Sequence, residues 1–173
     1  MDLPTIAKNY GFFISAGAVL VSAAIAGVVA ILNIRTNREL GRKTTTLRLV
    51  QDKEEKPHYT ELQEKFWTLL PTGELTSEQT AFIDRLPALA HDHADYPSTR
   101  ALDDYLNHYE IIAIGIQARI LDKDFYAAWM KSAYVDTWDR AVPYIRACRN
   151  AGFLKAYVNF EMLAREWGAK TRL

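Results

Sequence analysis

Four polar residues have the types and spacing to form a buried electrostatic site: Asn107, Glu110, Arg146 and Arg149. Asn107 and Glu110 interrupt an apolar segment at a separation of three, so a helix places them side by side. A carboxylate in apolar surroundings must be paired or protonated. The two arginines repeat this spacing on a later segment that can pack antiparallel to the first. We therefore expect an ion pair between Glu110 and one of the arginines.

This ion pair has a catalytic and a structural interpretation. Catalytic carboxylates often have pKa values that are shifted by burial and by a specific charged partner. In the sequence, however, no nucleophile or set of metal ligands accompanies the four residues, and Cys148 has the setting of a small core residue. We therefore interpret the four residues as a polar latch, a buried cluster that fixes the register of two helices, and we predict no catalytic residue.

The segment His91-Asp92-His93-Ala94-Asp95 has side chains of the kinds that bind metals. Imidazole and carboxylate ligands suit zinc or manganese. A structural zinc site takes four ligands and a catalytic one usually three, and no further ligand stands at motif spacing. We interpret the segment as a solvated loop and predict neither a metal nor a cofactor. A hydrolase using His91, His93 and Asp95 is an alternative, and it would require metal to co-purify with the protein.

The chain that positions these residues begins with an apolar run from Asn9 to Ile34. At about 1.5 Å per residue, a helix of this length reaches roughly 39 Å and can cross a hydrocarbon core of ~30 Å. We predict a single transmembrane helix within residues 1–34. A cleaved secretory signal is the alternative, because Ala24-Ile25-Ala26 has the small-x-small form of a cleavage site. The run is longer than a usual signal core and ends in basic residues, which favours an anchor.

Small residues recur at every fourth position of this helix, at Ala18, Ser22, Ala26 and Ala30. In lipid, where packing rather than hydrophobicity drives association, such a small-residue ridge lets two helix backbones approach closely. We therefore expect the anchor to self-associate and the protein to be a homo-oligomer.

A basic collar follows the apolar run and consists of Arg35, Arg38, Arg42, Lys43 and Arg48. Residues 35–48 carry a net charge of +4 and residues 49–173 one of −4, so the neutral total hides a division. Positive residues are retained on the cytoplasmic side of a membrane. The collar therefore predicts an inner (cytoplasmic) membrane protein with its N-terminus outside and its C-terminal domain in the cytoplasm.

The apolar spacing after Pro57 is helical, and no segment alternates like a strand. Thr76 and Gln79 are spaced as a capping box, and Pro87 should end or kink the helix that they begin. Gly152 is a C-terminal stop for a later helix. The fold class is therefore all-α: an N-terminal transmembrane helix (1–34), a basic juxtamembrane connector (35–56) and a cytoplasmic five- or six-helix bundle (57–173).

The most apolar helix of the bundle begins near Ser98. Ile111 and Ile114 widen its apolar face, so its middle is apolar almost all round and we expect the helix to be buried on several sides. The chain then forms two segments at residues 125–133 and 135–150, and a last helical segment at 153–167. In that last segment we expect five residues to face inward: Tyr157, Phe160, Leu163, Ala164 and Trp167.

Several short segments resemble an uncharacterised bacterial family of short single-pass membrane proteins, the domain of unknown function DUF4760. They are Leu106-Asn107-His108-Tyr109-Glu110, Ile114-Gly115, Leu121-Asp122, Trp138, Arg146 and Phe160-Glu161-x-Leu163-Ala164-x-x-Trp167. The resemblance covers most of the chain and implies a small helical cytoplasmic domain on a membrane anchor. It implies no activity, ligand or catalytic residue.

These features favour a non-enzymatic function, in which the anchor localises and oligomerises a helical interaction module. The expected partners are the lipid bilayer, a second copy of the chain and an unidentified protein. Nucleic acid is not expected, because the domain lacks a spread of positive charge. The alternative is a membrane-acting effector in a phage-defence or toxin-like response, although the central residues of the apolar run offer only Ser15 and Ser22 as polar lining for a pore.

Overall fold

The computed structural model describes residues 3–89 and 91–171, with side chains at 19–52, 56–89 and 91–171. This part of the chain is helical and contains no strand, as predicted. It forms six α-helices and one short 3₁₀ turn (Leu86–Ala88). The helices are α1 (Leu3–Glu55), α2 (Pro57–Leu69), α3 (Ser77–Arg85), α4 (Tyr96–Gln117), α5 (Lys123–Asn150) and α6 (Val158–Glu166).

The chain divides into two compact units, at residues 1–41 and 42–173. In the first unit every described side chain, from Val19 to Gly41, is exposed. Within the described residues, α1 is the one helix long and apolar enough to cross a membrane. The sequence prediction of an N-terminal apolar helix followed by a helical domain is thus confirmed.

The second unit is organised around α4, which packs against α2 and α6 and also contacts α5. Its inward stripe is fully buried and comprises Leu102, Tyr105, Leu106, Tyr109, Ile112, Ala113 and Ile116. The expectation that Ile111 and Ile114 are buried as well is wrong, because 61% and 47% of these side chains are exposed. One face of α4 therefore reaches solvent.

The C-terminal part of α1, from Arg42 onward, belongs to the second unit. Thr46 is fully buried, and its hydroxyl donates to the Arg42 carbonyl at 2.8 Å and accepts from the Asp122 amide at 2.9 Å. Asp122 in turn caps α5 by accepting from the Phe125 amide. Residues predicted as a polar connector thus contribute to the core and to the start of α5.

Helix α5 is continuous from Lys123 to Asn150, so the prediction of two separate segments is wrong. Pro143 lies inside it and removes one backbone donor, which normally weakens a helix. Trp138 and Tyr144 on either side of the proline are fully buried, and this packing holds the helix together across it. The cost of a missing hydrogen bond is smaller than the gain from burying two aromatic side chains.

The predicted helix ends are borne out in three places. Thr76 and Gln79 form a reciprocal capping box at the start of α3. This helix ends at Arg85, directly before the 3₁₀ turn that contains Pro87. Gly152 follows the C-cap of α5 with a φ of +102°, a conformation that glycine adopts without strain.

A tight turn joins α4 to α5 and depends on Gly115. The amides of Ile120 and Leu121 both donate to the Gly115 carbonyl, which folds the chain back over the helix end. A Cβ atom at position 115 would lie 2.8 Å from Cδ1 and 2.9 Å from Cγ of the buried Leu121. A side chain at position 115 would therefore force the buried Leu121 side chain to shift.

Replacing Gly115 by alanine should lower the free energy of unfolding by roughly 1–3 kcal/mol, because the buried Leu121 must shift to admit the methyl group. Gly41→Ala is the matched control, since an added Cβ there meets no atom within 4 Å. Denaturant unfolding of full-length protein checks both. A Gly115→Ala protein as stable as the Gly41→Ala protein would contradict this account of the turn.

Candidate ligand pocket

A cavity of about 630 Å³ lies between α4, α5 and the connecting residues 151–157. Helix α4 contributes Asp103, Asn107 and Glu110 to its wall. Their spacing of four and three residues places them on one stripe of the helix. Tyr144 and Cys148 come from α5 and share a stripe in the same way. The pocket wall therefore combines two carboxylates with aromatic and apolar groups.

Asp103 is held by two tyrosine hydroxyls. The hydroxyls of Tyr144 and Tyr157 each donate to Asp103 Oδ1 at 2.8 Å. Tyr144 is fully buried and Tyr157 nearly so. Because both donors are rigid aromatic side chains in the core, they fix the orientation of the carboxylate. The interaction also joins α4 to α5 and to the end of the 151–157 connection.

Burial raises the pKa of Tyr144 and of Tyr157 well above the ordinary value, and the nearby charge of Asp103 raises both further. Both phenols therefore remain protonated donors across the physiological range. Burial likewise raises the pKa of the Cys148 thiol to about 11. A thiol with that pKa is protonated at neutral pH, which agrees with the interpretation of Cys148 as a core residue.

Glu110 binds the start of α6. Its Oε1 accepts from the Asn159 amide at 3.2 Å and from Asn159 Nδ2 at 2.6 Å, and its Oε2 accepts from the Phe160 amide at 2.7 Å. The N-cap residue of α6, Tyr157, has a left-handed backbone and provides no side-chain cap. The Glu110 carboxylate therefore accepts hydrogen bonds from first-turn amides of α6 that have no acceptor within their own helix. Its negative charge also interacts favourably with the positive end of the helix dipole.

This arrangement differs from the expected ion pair between Glu110 and an arginine. Arg149 instead forms an ion pair with Glu161 at 2.9 Å, and two of its nitrogens donate to the Ala156 carbonyl. Arg146 lies on the exposed side of α5. Asn107 is an exposed neighbour of Glu110 on the pocket wall. The backbone amides of α6 take the place that the prediction gave to an arginine.

The His91–Asp95 segment is exposed or half-buried and is held by local contacts. His91 Nε2 lies 3.3 Å from the Tyr96 hydroxyl, and His93 Nδ1 accepts from the Asp95 amide. The Asp95 carboxylate lies 3.5 Å from the Arg85 guanidinium. Within the described residues, no group of three or more potential metal ligands comes together.

The residues expected at the membrane lie along α1. Ser22, Ala26 and Ala30 of the small-residue ridge are exposed, and the side chain of Ala18 lies outside those described. In the basic collar, Arg35, Arg38 and Arg48 are exposed, while Arg42 and Lys43 are half-buried. Self-association and lipid contact at these positions remain predictions.

A family model described as a domain of unknown function, DUF4760, matches residues 20–167. This chain belongs to the DUF4760 family. The match covers most of α1 and all five later helices, and it confirms the resemblance seen in the sequence. Searches of curated proteins and of solved structures find no match.

In this DUF4760 chain, the sequence did not identify Asp103, Tyr144 and Tyr157 as pocket residues, although Tyr157 was expected to face inward. Asp103 stands beside Asp104 on a helix, and such a pair looks like part of a solvated face. Asp104 is indeed exposed and pairs with Arg100 at 3.6 Å. The available signal was the position of Asp103 four residues before Asn107, which continues the polar stripe that already contained Glu110.

Stability should fall at alkaline pH, because the folded chain keeps the protons of Tyr144 and Tyr157 where the unfolded chain loses them. The unfolded phenols titrate near pH 10 and the folded ones above it. The contribution of these two tyrosines to the free energy of unfolding is therefore constant below about pH 10. Above it, each such tyrosine lowers that free energy by up to ~1.4 kcal/mol per pH unit.

Unfolding of the full-length protein in urea at a series of pH values from about 9 to 11 measures this slope. Tyr144→Phe should reduce the slope by up to ~1.4 kcal/mol per pH unit, the contribution of one tyrosine. This reduction does not depend on how the substitution changes stability at neutral pH. An unchanged slope in this variant would show that the Tyr144 hydroxyl does not keep its proton in the folded chain.

Proposed function

We propose that this DUF4760 protein is a membrane-anchored interaction module. In this proposal α1 spans the cytoplasmic membrane with its N-terminus outside. The helical second unit then lies in the cytoplasm, where its pocket is available to a protein partner.

One observation carries the proposal: the apolar side chains that the structure describes between Val19 and Ile34 are all exposed. Val19 and Leu20, for example, are 68% and 71% exposed, and the whole apolar window of the helix is unburied. Exposed apolar surface of this extent is unfavourable in water and marks contact with a membrane or with another protein. A bilayer covers all sides of one helix at once, whereas a soluble partner covers only one side.

The basic collar supports the proposed orientation. Its five cations follow the apolar run, whereas Lys8 is the one cationic side chain before it. Cations on the cytoplasmic face interact favourably with anionic lipid headgroups, by about 1 kcal/mol each near the surface. The collar thus fixes the depth of the helix as well as its direction.

The test of the anchor compares the full-length protein with a truncation that lacks residues 1–34. After alkaline carbonate extraction of membranes, the full-length protein should remain in the pellet and the truncation should be soluble. Reporter fusions that are active only on one side of the membrane should place the C-terminus inside. Extraction of the full-length protein with carbonate, or a C-terminus outside, would contradict the proposal.

Self-association is proposed to occur through the small-residue ridge. Ala26→Leu should convert the detergent-solubilised oligomer to monomer, because a leucine on the ridge keeps the two helix backbones apart. Ala24→Leu is the matched control, since residue 24 lies on the opposite side of the helix. Light scattering with correction for bound detergent measures the mass. If the Ala26→Leu protein is still an oligomer, the small-residue ridge does not form the interface.

A further inference from the structure

We propose that the pocket between α4, α5 and residues 151–157 binds a basic side chain of a polypeptide partner, a guanidinium or ammonium group flanked by apolar residues. The choice of a polypeptide, rather than a free small cation, rests on the proposed function as an interaction module. The choice of a cation rests on the pocket itself.

Asp103 has one carboxylate oxygen, Oδ2, that accepts no hydrogen bond within the described part of the chain. Both hydrogen bonds that Asp103 accepts, from Tyr144 and Tyr157, reach Oδ1. The described residues supply no donor to Oδ2, although Asp103 lines the pocket and is half-buried. Because two buried phenols already hold the carboxylate in place, little conformational entropy is lost when Oδ2 accepts from a ligand. A cationic donor makes the strongest hydrogen bond to such an oxygen.

Glu110, the other carboxylate of the pocket wall, is already bound to the start of α6. Both of its oxygens accept hydrogen bonds from the start of α6. Its charge is partly balanced by the positive end of that helix. Among the described pocket residues, Asp103 is therefore the acidic group that is open to a ligand, and it selects for one positive charge.

The mouth of the pocket is apolar. Phe153 and Leu154 are adjacent in the chain, line the mouth together and are 58% and 76% exposed. The turn is held by the Arg149 guanidinium on the Ala156 carbonyl. The cavity volume is within the range of pockets that enclose several side chains or a small organic ligand. Apolar residues beside the cationic one would cover Phe153 and Leu154.

Lys155, at the same turn, allows a test of whether the pocket prefers a cation or an anion. It lines the pocket and is exposed. Its positive charge opposes an incoming cation and would attract an anion. A cation site therefore becomes stronger when Lys155 is neutralised, and an anion site becomes weaker.

The experiment titrates full-length protein in nanodiscs with a fluorescent peptide, acetyl-Leu-Arg-Phe-amide, and measures fluorescence anisotropy. Asp103→Asn should weaken binding at least about tenfold, because it removes a charge-assisted hydrogen bond. Its amide oxygen can still accept from both tyrosines. Lys155→Gln should strengthen binding roughly two- to fivefold. Asp104→Asn is the matched control, with the same change of charge on the neighbouring exposed residue, and should leave the affinity unchanged.

Two further probes separate the remaining interpretations. A peptide with citrulline in place of arginine keeps the shape and loses the charge, so it should bind as weakly as the arginine peptide binds to Asp103→Asn. Butylguanidinium alone should bind much more weakly than the peptide. If it binds equally well, the polypeptide part of the proposal is wrong.

Equal affinity for the arginine and citrulline peptides, or no effect of Asp103→Asn, would overturn the cation site. The same titration in detergent micelles measures the affinity of the pocket for the peptide without requiring insertion into a bilayer. Failure of the anchor proposal in the carbonate experiment is therefore distinct from failure of the pocket proposal here.

Discussion

The second unit depends on two carboxylates that one stripe of α4 presents to later parts of the chain. Asp103 binds tyrosines from α5 and from the residue before α6, and Glu110 binds the first amides of α6. Helix α6 has only nine residues, and a helix of that length is unstable without outside contacts. The hydrogen bonds that Glu110 accepts at the start of α6 therefore support the packing of Phe160 and Trp167 onto the core.

The same two interactions create the pocket. Residues 151–157 leave α5 and return to α4, and a cavity remains where the chain passes over the α4 stripe. One carboxylate is used to hold the helix end, and the other keeps an oxygen without a partner among the described residues. A structural requirement of the fold thus leaves a rigid acidic group at the base of an apolar mouth.

Much of this fold could be predicted from the sequence because its signals are local. The apolar run, the capping box at Thr76 and the buried face of α4 all follow from periodicity or from neighbouring residues. Glu110 also stood out, because a charged residue in an apolar helix demands a partner. The partner of Glu110 could not be identified in the sequence, because the donors include backbone amides of α6 and nearly every residue carries such a group. The exposure of Ile111 and Ile114 could not be predicted for a similar reason. Periodicity places these residues on one face of α4, but the arrangement of the other helices decides whether that face is covered.

Amide hydrogen exchange at Asn159 and Phe160 tests the central claim most directly. First-turn amides of a helix normally exchange fast, because they lack intrahelical acceptors. If Glu110 binds them, both should exchange as slowly as amides in the middle of α4, and Glu110→Gln should make that of Phe160 fast. Rapid exchange of both amides in the unaltered protein would contradict the claim that α4 holds α6 through Glu110.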